Sequence, residues 1–427
     1  MTPSNQPERR ALVIVAKYPR SGAVKTRLAA ALGVGGAATL YRAFLLDLAA
    51  RFTPAAARDG YALVWAHTPD PGDLRAVVGV EAQLLAQRGA ELGERLYHIG
   101  QDLAARGCTD VVIVSSDAPH LPASAVRDAF RALEHAATPS VALAPSEDGG
   151  YSLVGLRATP AAPDLFRGIE MSTPQVYAQT LERAAALGLA VIALPVIFDV
   201  DGPSDLRRLA AALATVPEDT SAETAEPGGT IIAAAPHTQA ALAALGIIPG
   251  GPILELRPLD VTLGSAYLDM VDECVAVGEG YPYNNIELAR ADFAAFAREL
   301  DEEARGIGLP PEIAPQQTFV LVEDGQRVVG EIRFRPTITP PYEAQNGHIG
   351  YNVCPSARGK GYATRQLALV LDRARQVGLP GVLLPVEGAN PASVQVITKN
   401  GGTLERTFTD PESGTPVRCF WIALDCV

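Results

Sequence analysis

A chain of 427 residues is longer than one ordinary hydrophobic core sustains, so two domains of roughly 150–200 residues are expected. At 48% hydrophobic and 19% charged residues it reads as globular, neither a disordered tail nor a membrane bundle. Its 48 acidic against 35 basic side chains give a net charge of −13, which repels a phosphate backbone and excludes nucleic acid as an expected partner.

Small-molecule substrates are the expected partners, and the oligomeric state stays open. No apolar run reads as a bilayer crossing, and the polar start MTPSNQPERR lacks the apolar core of a secretory signal, so a cytoplasmic location is expected. The abundance of Ala, Gly and Pro beside three Met suggests a GC-rich bacterial genome. The five cysteines, Cys108, Cys274, Cys354, Cys419 and Cys426, form no CxxC pair and are expected to be reduced structural thiols.

In chain order, apolar runs alternate with helical patterns: ALVIVA (11–16), a helix near 36–51, YALVWA (61–66), a helix near 91–106, DVVIVSS (110–116) and a helix near 122–136. SVALAP (140–145), YSLVGL (151–156) and AVIALPVIFDV (190–200) continue the strands, with helices near 173–187 and 203–215. This rhythm predicts an α/β fold whose first part, 1–215, is a doubly wound, mostly parallel sheet. The polar, acidic text of 216–229 is too poor in apolar residues to fold alone. Together with a short helical pattern of open affiliation, it is assigned to a linker over 216–252. From 253 onward, ILELRPL, a long amphipathic stretch through Leu300, FVLVED, RVVGEIRFR and GHIGYNV predict an α+β domain with a mixed, mainly antiparallel sheet.

Directly after the first strand, Lys17, Lys25 and Arg27 surround Pro19 and Gly22 in a loop that runs into a helix. A cationic loop at the carboxyl end of strand one is where doubly wound sheets hold nucleotide phosphates, although a solvated basic turn has the same spelling. The GxxxxGK[ST] signature of a P-loop ATPase is missing. Three acidic motifs follow, SSDAPHLP (115–122), EDGGYSLVGL (147–156) and DVDGPSDL (199–206). Asp117, Asp199 and Asp201 are hard-oxygen candidates for Mg²⁺ or Mn²⁺, and Asp117 is also a catalytic candidate, while each alone reads equally as a cap or turn residue.

Taken in order, the KxPxxGxVKTRL loop, the SDxPxL turn, the DGGY turn and the DxDxPxDL end resemble the glycosyltransferase-A-type superfamily. Within it they are similar to the glycosyltransferase-like family related to 2-phospholactate guanylyltransferase and molybdenum-cofactor guanylyltransferase. The resemblance covers about residues 10–215. It implies a nucleotide-diphospho-sugar transferase-like fold and a nucleotide-activated donor, with Asp148 shaping the acceptor or base pocket. Sugar transfer and nucleotidyl transfer share that scaffold. Departure from the GxGxRM loop of sugar-nucleotide pyrophosphorylases inclines the reading to a glycosyltransferase-like role.

In the C-terminal part, a strand at 348–353 enters a glycine-rich turn and then a helix of clear apolar period. Such a turn offers main-chain amides to an anion, with Arg358 and Lys360 adding charge and Gly359 and Gly361 allowing close approach. The run Arg358-Gly359-Lys360-Gly361-Tyr362-Ala363 resembles the Q/R-x-x-G-x-G/A loop by which GNAT N-acyltransferases hold the pyrophosphate of acetyl-CoA, and the likeness covers about 253–425. It implies pantetheine pairing with a strand edge near Tyr351 and Val353, and a pantetheine role for Asn390 and Ser393, which read equally as cap or turn residues.

Acyl transfer to an amine needs a base, an oxyanion donor and an acid for the thiolate. Glu331 is the candidate base, with a salt bridge to Arg333 or Arg335 as the plain alternative. Many GNAT enzymes place a Tyr acid seven residues after the Asn, where this chain has Ile397. That leaves Tyr351, Tyr362 or no residue as the acid. His348 and His120 read as structural. The reading is a bifunctional transferase whose C-terminal domain N-acetylates a small amine with acetyl-CoA. Its alternative is a nucleotidyltransferase carrying a GNAT domain that only senses acyl-CoA.

Overall fold

The computed structural model describes residues 9–68, 72–217, 223–225, 230–279, 281, 284–310, 313–338, 347–388, 390–410 and 414–424; Cys426 and parts of the expected linker lie outside them. The chain forms two compact units, 1–27 with 36–251 and 28–35 with 252–427.

The first unit is built on β1 (Arg10–Ala16), β2 (Ala62–His67), β3 (Gln83–Ala86), β4 (Asp110–Ser115), β5 (Ser140–Pro145), β6 (Tyr151–Arg157) and β7 (Ala190–Ala193), in the order β3-β2-β1-β4-β6-β5-β7. β6 runs antiparallel to both neighbours and the other pairs are parallel. Strands buried on both faces need continuous apolar runs. In β1, Ala11 and Val13 join one core cluster with Leu96, Ile99 and Leu103, and the intervening Leu12 and Ile14 are equally buried. The helices are α1 (Ala29–Asp59), which is broken at Gly33 (φ 75) and belongs to this unit only from residue 36, α2 (Arg75–Val78), α3 (Leu92–Ala105), α4 (Ala123–His135), α5 (Val176–Ala186) and α6 (Pro203–Leu213).

Two sequence expectations are corrected here. The run 190–200 is strand only to Ala193, because Pro195 has no amide for a ladder; beyond it Ile197 docks through its amide on the Pro145 carbonyl at 3.1 Å. The segment Thr26–Asp59 is, by length and composition, apolar enough to cross a membrane. Leu40, Phe44, Leu45, Leu48 and Phe52 are nevertheless wholly buried, as in a core helix.

The stretch expected to be a linker also carries structure. β8 (Glu223–Ala225) pairs with β9 (Ile231–Ala233), and α7 (Pro236–Ala244) follows. The Ala233 amide donates to the His120 carbonyl at 3.0 Å, and the buried Asp47 carboxylate accepts from the amides of His237 (3.0 Å) and Thr238 (2.8 Å) and from the Thr238 hydroxyl (2.6 Å). Asp47 thus caps α7 from α1, and the affiliation left open by the sequence is with the first unit.

In the second unit, β10 (Leu254–Pro258), β11 (Gln317–Glu323), β12 (Arg327–Phe334) and β13 (Ile349–Val353) form an antiparallel sheet in that order. The amphipathic stretch resolves into α8 (Gly264–Ala276), α9 (Ile286–Ala291) and α10 (Phe293–Ala304). After β13 come α11 (Tyr362–Gln376), β14 (Gly381–Glu387), α12 (Pro391–Lys399), β15 (Thr403–Thr409) and β16 (Pro416–Ala423), the three strands forming a second antiparallel sheet, β14-β16-β15. Cys108, Cys274, Cys354 and Cys419 are buried free thiols, in keeping with the expectation for them.

Replacing Asp47 with Ala should leave two helix amides and a buried hydroxyl without an acceptor. Urea unfolding followed on the first unit should show a loss of about 2–3 kcal/mol.

Candidate active sites

In the first unit the cationic loop reaches its conformation through two left-handed positions, Gly22 (φ 76) and Lys25 (φ 48). The second is uncommon for a residue with a side chain, and what holds it is charge. The Lys25 ammonium lies 2.7 Å from Asp117 Oδ1 and 3.0 Å from Asp201 Oδ1 and donates to the Val200 carbonyl at 2.8 Å, with its side chain only 5% exposed. Burial alone would lower its pKa, but the Asp117 and Asp201 carboxylates outweigh that and hold it above the ordinary value. Two loops meet here because the Val200 amide donates to the Asp117 carbonyl at 3.0 Å.

Asp205, from the first turn of α6, accepts from the amides of Asp201 (3.1 Å) and Gly202 (2.8 Å) and so fixes the last acidic motif. Asp199 lies half-buried beside them with Oδ1 buried and without a hydrogen-bond partner among the described residues, and desolvation, reinforced by the Asp117 charge, pushes its carboxyl up to about 7. Lys17 and Arg27 are exposed, and Arg27 reaches Asp201 at 3.9 Å.

Asp117, Asp199 and Asp201 were the expected ligands of a divalent ion. Their oxygens are of the right kind, but the Lys25 ammonium occupies the position between Asp117 and Asp201 that a bridging ion would need. Among the described residues no group of three such side chains is spaced to hold a metal. As arranged, the trio does not fit an ion, and its internal cation is Lys25. Asp148 stands apart at an exposed turn, where its Oδ1 accepts from the Gly150 amide at 3.0 Å. Gly149 (φ 88) is obligatory there, since a Cβ would lie 2.1 Å from the Pro174 carbonyl oxygen.

One partner was invisible to motif reading. Tyr41 on α1 bonds Ser116 Oγ at 2.8 Å and accepts from the Lys17 amide at 3.0 Å, bracing both loops. His120 is buried and stacked on Phe198 with centroids 4.0 Å apart, and burial lowers it to about 3, so it is a neutral packing residue as expected. Arg208 covers the other ring contact of Phe198 at 4.0 Å.

The second unit's site forms where its two sheets part. β13 and β14 share no ladder, yet at His348 the chains are tied: its amide donates to the Leu383 carbonyl at 2.9 Å and its Nδ1 accepts from the Leu383 amide at 3.0 Å. From that pin toward Val353 the edge of β13 is left for another partner.

Just beyond, Gly359 (φ 76) and Gly361 (φ 81) shape the bend into α11, and a Cβ on either would meet nothing within 4 Å. Among the described residues none accepts a backbone hydrogen bond from the amides of 359–364, and the first such bond of the helix runs from the Arg365 amide to the Gly361 carbonyl at 3.0 Å. Those amides stand at a helix start, the setting in which main-chain N–H groups favour an anion. The Arg358 side chain does not add to it. Its guanidinium pairs bidentately with Glu279 at 2.7 and 2.6 Å and donates Nε to the Val353 carbonyl at 3.0 Å, clamping the bend. Lys360 lies over the Tyr362 ring at 5.9 Å, and Tyr362 packs into the core with its hydroxyl on Glu323. Ala363 contributes through the first turn of α11.

Glu331 sits at the centre of β12, in register with Val320 and Asn352, and is wholly buried. Its Oε2 accepts from Tyr267 (2.7 Å), Tyr281 (3.0 Å) and Asn284 (2.7 Å), while Oε1 has no hydrogen-bond partner; Arg333 Nε stays 3.7 Å away. The plain salt bridge is therefore loose, and burial raises the Glu331 carboxyl above its usual value. Tyr267, Tyr281 and Asn284 were missed because no spacing links α8 and the following loop to a strand some 50 residues on. Tyr351 bonds Ser393 Oγ at 2.9 Å, and burial keeps its proton on. Asn390 caps α12, accepting from the Ser393 amide at 3.0 Å. Ile397 is 1% exposed in the core and offers no acid.

Residues 52–173 match the family model described as uncharacterized protein conserved in bacteria (DUF2064), and residues 272–403 match the acetyltransferase (GNAT) domain model. A phosphoenolpyruvate guanylyltransferase of Sphaerobacter thermophilus is 30% identical over 204 residues, spanning 46% of this chain and 92% of that protein. The chain joins a DUF2064-family domain to a GNAT acetyltransferase domain.

A crystal structure ascribed to a nucleotide-diphospho-sugar transferase from Desulfovibrio desulfuricans G20 is 31% identical and covers 56% of this chain and 96% of its own, with a TM-score of 0.48. For the GNAT domain, an acetyltransferase from Salmonella typhimurium with its cofactor acetyl-CoA is 17% identical and covers 40% of this chain and 94% of its own, at a TM-score of 0.29.

Replacing Gly361 with Ala puts a side chain at a left-handed position that costs roughly 1–2 kcal/mol to hold. Because nothing crowds the added methyl, the domain should stay folded while calorimetry shows acetyl-CoA affinity falling about tenfold as the amides turn away.

Proposed function

We propose that the GNAT domain N-acetylates a small amine from acetyl-CoA in a cytoplasmic enzyme, and that the DUF2064 domain transfers a group from a nucleotide-activated donor. The observation that carries the first half is the bend at 359–364, whose amides are uncommitted at a helix start beside an open strand edge. There the diphosphate of acetyl-CoA is held by main-chain N–H groups and its pantetheine amides extend β13 near Tyr351 and Val353. Glu331 Oε1 takes the proton of the attacking amine, and Tyr351, kept neutral by burial, donates to the leaving thiolate.

In the DUF2064 domain, Lys17, Lys25 and Arg27 receive the nucleotide phosphates. The Lys25 ammonium commits its three donors to Asp117, Asp201 and the Val200 carbonyl, so it acts on developing negative charge through its fixed field and not by direct donation. The near-complete span of the guanylyltransferase relative supports nucleotidyl transfer, and the departure from GxGxRM supports sugar transfer. Incubation with GTP or with UDP-sugars, with pyrophosphate monitored, separates the two: only nucleotidyl transfer releases it. A Mg²⁺ or Mn²⁺ ion entering with the nucleotide would meet Asp117 and Asp201 only in exchange for the Lys25 ammonium. Arg27→Ala, at a side chain 76% exposed and so without a folding penalty, should weaken nucleotide binding about tenfold; unchanged affinity removes the loop from the site.

A second reading, an acyl-CoA sensor without turnover, is favoured by one observation, the burial of Ile397 where a tyrosine acid would stand. Thiol release separates it from catalysis. Because burial raises the Glu331 carboxyl and only its ionised form accepts a proton, kcat/KM should fall as pH drops through a value above the ordinary ~4.3 of glutamate. Glu331→Gln should flatten that limb and lower kcat by about 10²–10⁴-fold. A variant that keeps both its rate and its acid limb removes Glu331 as the base.

A further inference from the structure

Three donors converge on one oxygen of the buried Glu331, and what each group is able to donate fixes the direction of its hydrogen. The Asn284 amide nitrogen is a donor only, and it lies 2.9 Å from the Tyr267 hydroxyl and 2.7 Å from Glu331 Oε2. Tyr267 therefore accepts from Asn284 and points its single hydrogen at Oε2, 2.7 Å away. Tyr281, which accepts from Asn352 Nδ2 at 3.4 Å, gives its hydrogen to the same oxygen at 3.0 Å. With three donors Oε2 is saturated. A proton reaching this carboxylate settles there only by expelling one of them, so it goes to Oε1, which has no hydrogen-bond partner among the described residues. Arg333, from the same strand, faces Oε1 with Nε at 3.7 Å, beyond hydrogen-bond reach. The cross-strand neighbours Val320 and Asn352 carry no charge, and from α10 the Glu303 carboxyl feels the Glu331 charge as a minor repulsion.

Of the three donors, Tyr267 is the one that the fold holds most firmly. It projects from α8, is wholly buried, and its ring packs edge-on to Tyr281 (6.4 Å) and Phe293 (6.1 Å) and tilted on Phe296 (5.7 Å). Tyr281 and Asn284 are both partly exposed. Burial, reinforced by the Glu331 charge, keeps the Tyr267 proton in place, so this hydroxyl remains a donor throughout the ordinary pH range.

We propose that Tyr267 is a positioning residue of the acyl transfer, anchoring the Glu331 carboxylate through Oε2 so that Oε1 is the atom that takes the proton of the amine. The inference rests on the acyl-transfer reading above. Burial favours the neutral form of Glu331, while the Arg333 charge and the hydrogen bonds from Tyr267, Tyr281 and Asn284 favour the ionised form. Deleting one of those donors therefore raises the pH at which Glu331 gains its proton, and the base is lost earlier as the solution is acidified.

The test is Tyr267→Phe in the full chain, which deletes the hydroxyl and keeps the ring, with thiol release from acetyl-CoA followed against pH on an amine that the parent acetylates. A hydrogen bond to a charged group moves a titration by about one pH unit or more, so the acid limb of kcat/KM should shift upward by that much. At a fixed pH on that limb the rate then falls about tenfold and is regained as the pH is raised, while acetyl-CoA affinity stays as in the parent. Phe293→Leu, which loosens the same aromatic packing and leaves the hydroxyl, should leave the limb in place. A limb unmoved in Tyr267→Phe, or moved equally by Phe293→Leu, overturns the inference. Absence of thiol release from the parent overturns the acyl-transfer reading instead. The anchoring of Glu331 is then decided by the infrared carboxylate band that Glu331→Gln removes: its midpoint should rise in Tyr267→Phe, and an unchanged midpoint overturns the role assigned to Tyr267.

Discussion

A strand that loses its neighbour part-way along leaves peptide groups that must find partners, and in the second unit this happens to β13. His348 holds one end of the parting closed through both its amide and its ring, so the opening is a built feature with a fixed starting point. The candidate groups of this domain are arranged around it. The bend at 359–361 lies just past the strand's end, Arg358 locks that bend to the Val353 carbonyl, and Tyr351 sits on the strand itself. β12 next door carries the one fully buried glutamate among the described residues, compensated by two tyrosines and an asparagine at one oxygen and by Arg333 at 3.7 Å from the other.

The first unit solves a similar problem in the opposite way. Carboxylates from two loops crowd together, and the chain supplies the compensating charge itself by bending Lys25 into a left-handed conformation beneath them. The cost of that backbone state is offset by two short ion pairs to a buried ammonium, from carboxylates that are themselves 35% and 43% exposed.

Much of this was legible in the residues. Alternating apolar runs gave the strands of both units, and the KxPxxGxVKTRL and RGKGYA strings marked two loops with left-handed glycines at strand-to-helix turns, because backbone geometry there demands particular residues at particular spacings. What stayed hidden was of another kind. Tyr41, Tyr267, Tyr281 and Asn284 reach their partners across the tertiary structure, and no local pattern announces them. Arg358 was read as a ligand for phosphate because its charge was visible and Glu279, which neutralises it, was not. Residues 190–200 looked like one long strand because hydropathy alone does not register that Pro195 lacks a ladder donor. Asn390 and Asp148 turned out to be a cap and a turn, roles that small polar residues fill more often than any other.

The docking of residues 231–247 onto the first unit bears on how the two halves can be taken apart. Arg51, buried beneath that segment, donates to the Pro119 and Leu121 carbonyls and to that of Ala234. A chain severed at 215, where composition first turns polar, strands this guanidinium and the Asp47 carboxylate at a newly exposed apolar surface. A cut at the Gly251/Pro252 junction instead leaves the whole of the appended hairpin and helix with the half that it completes, and parts the second unit only from its residues 28–35.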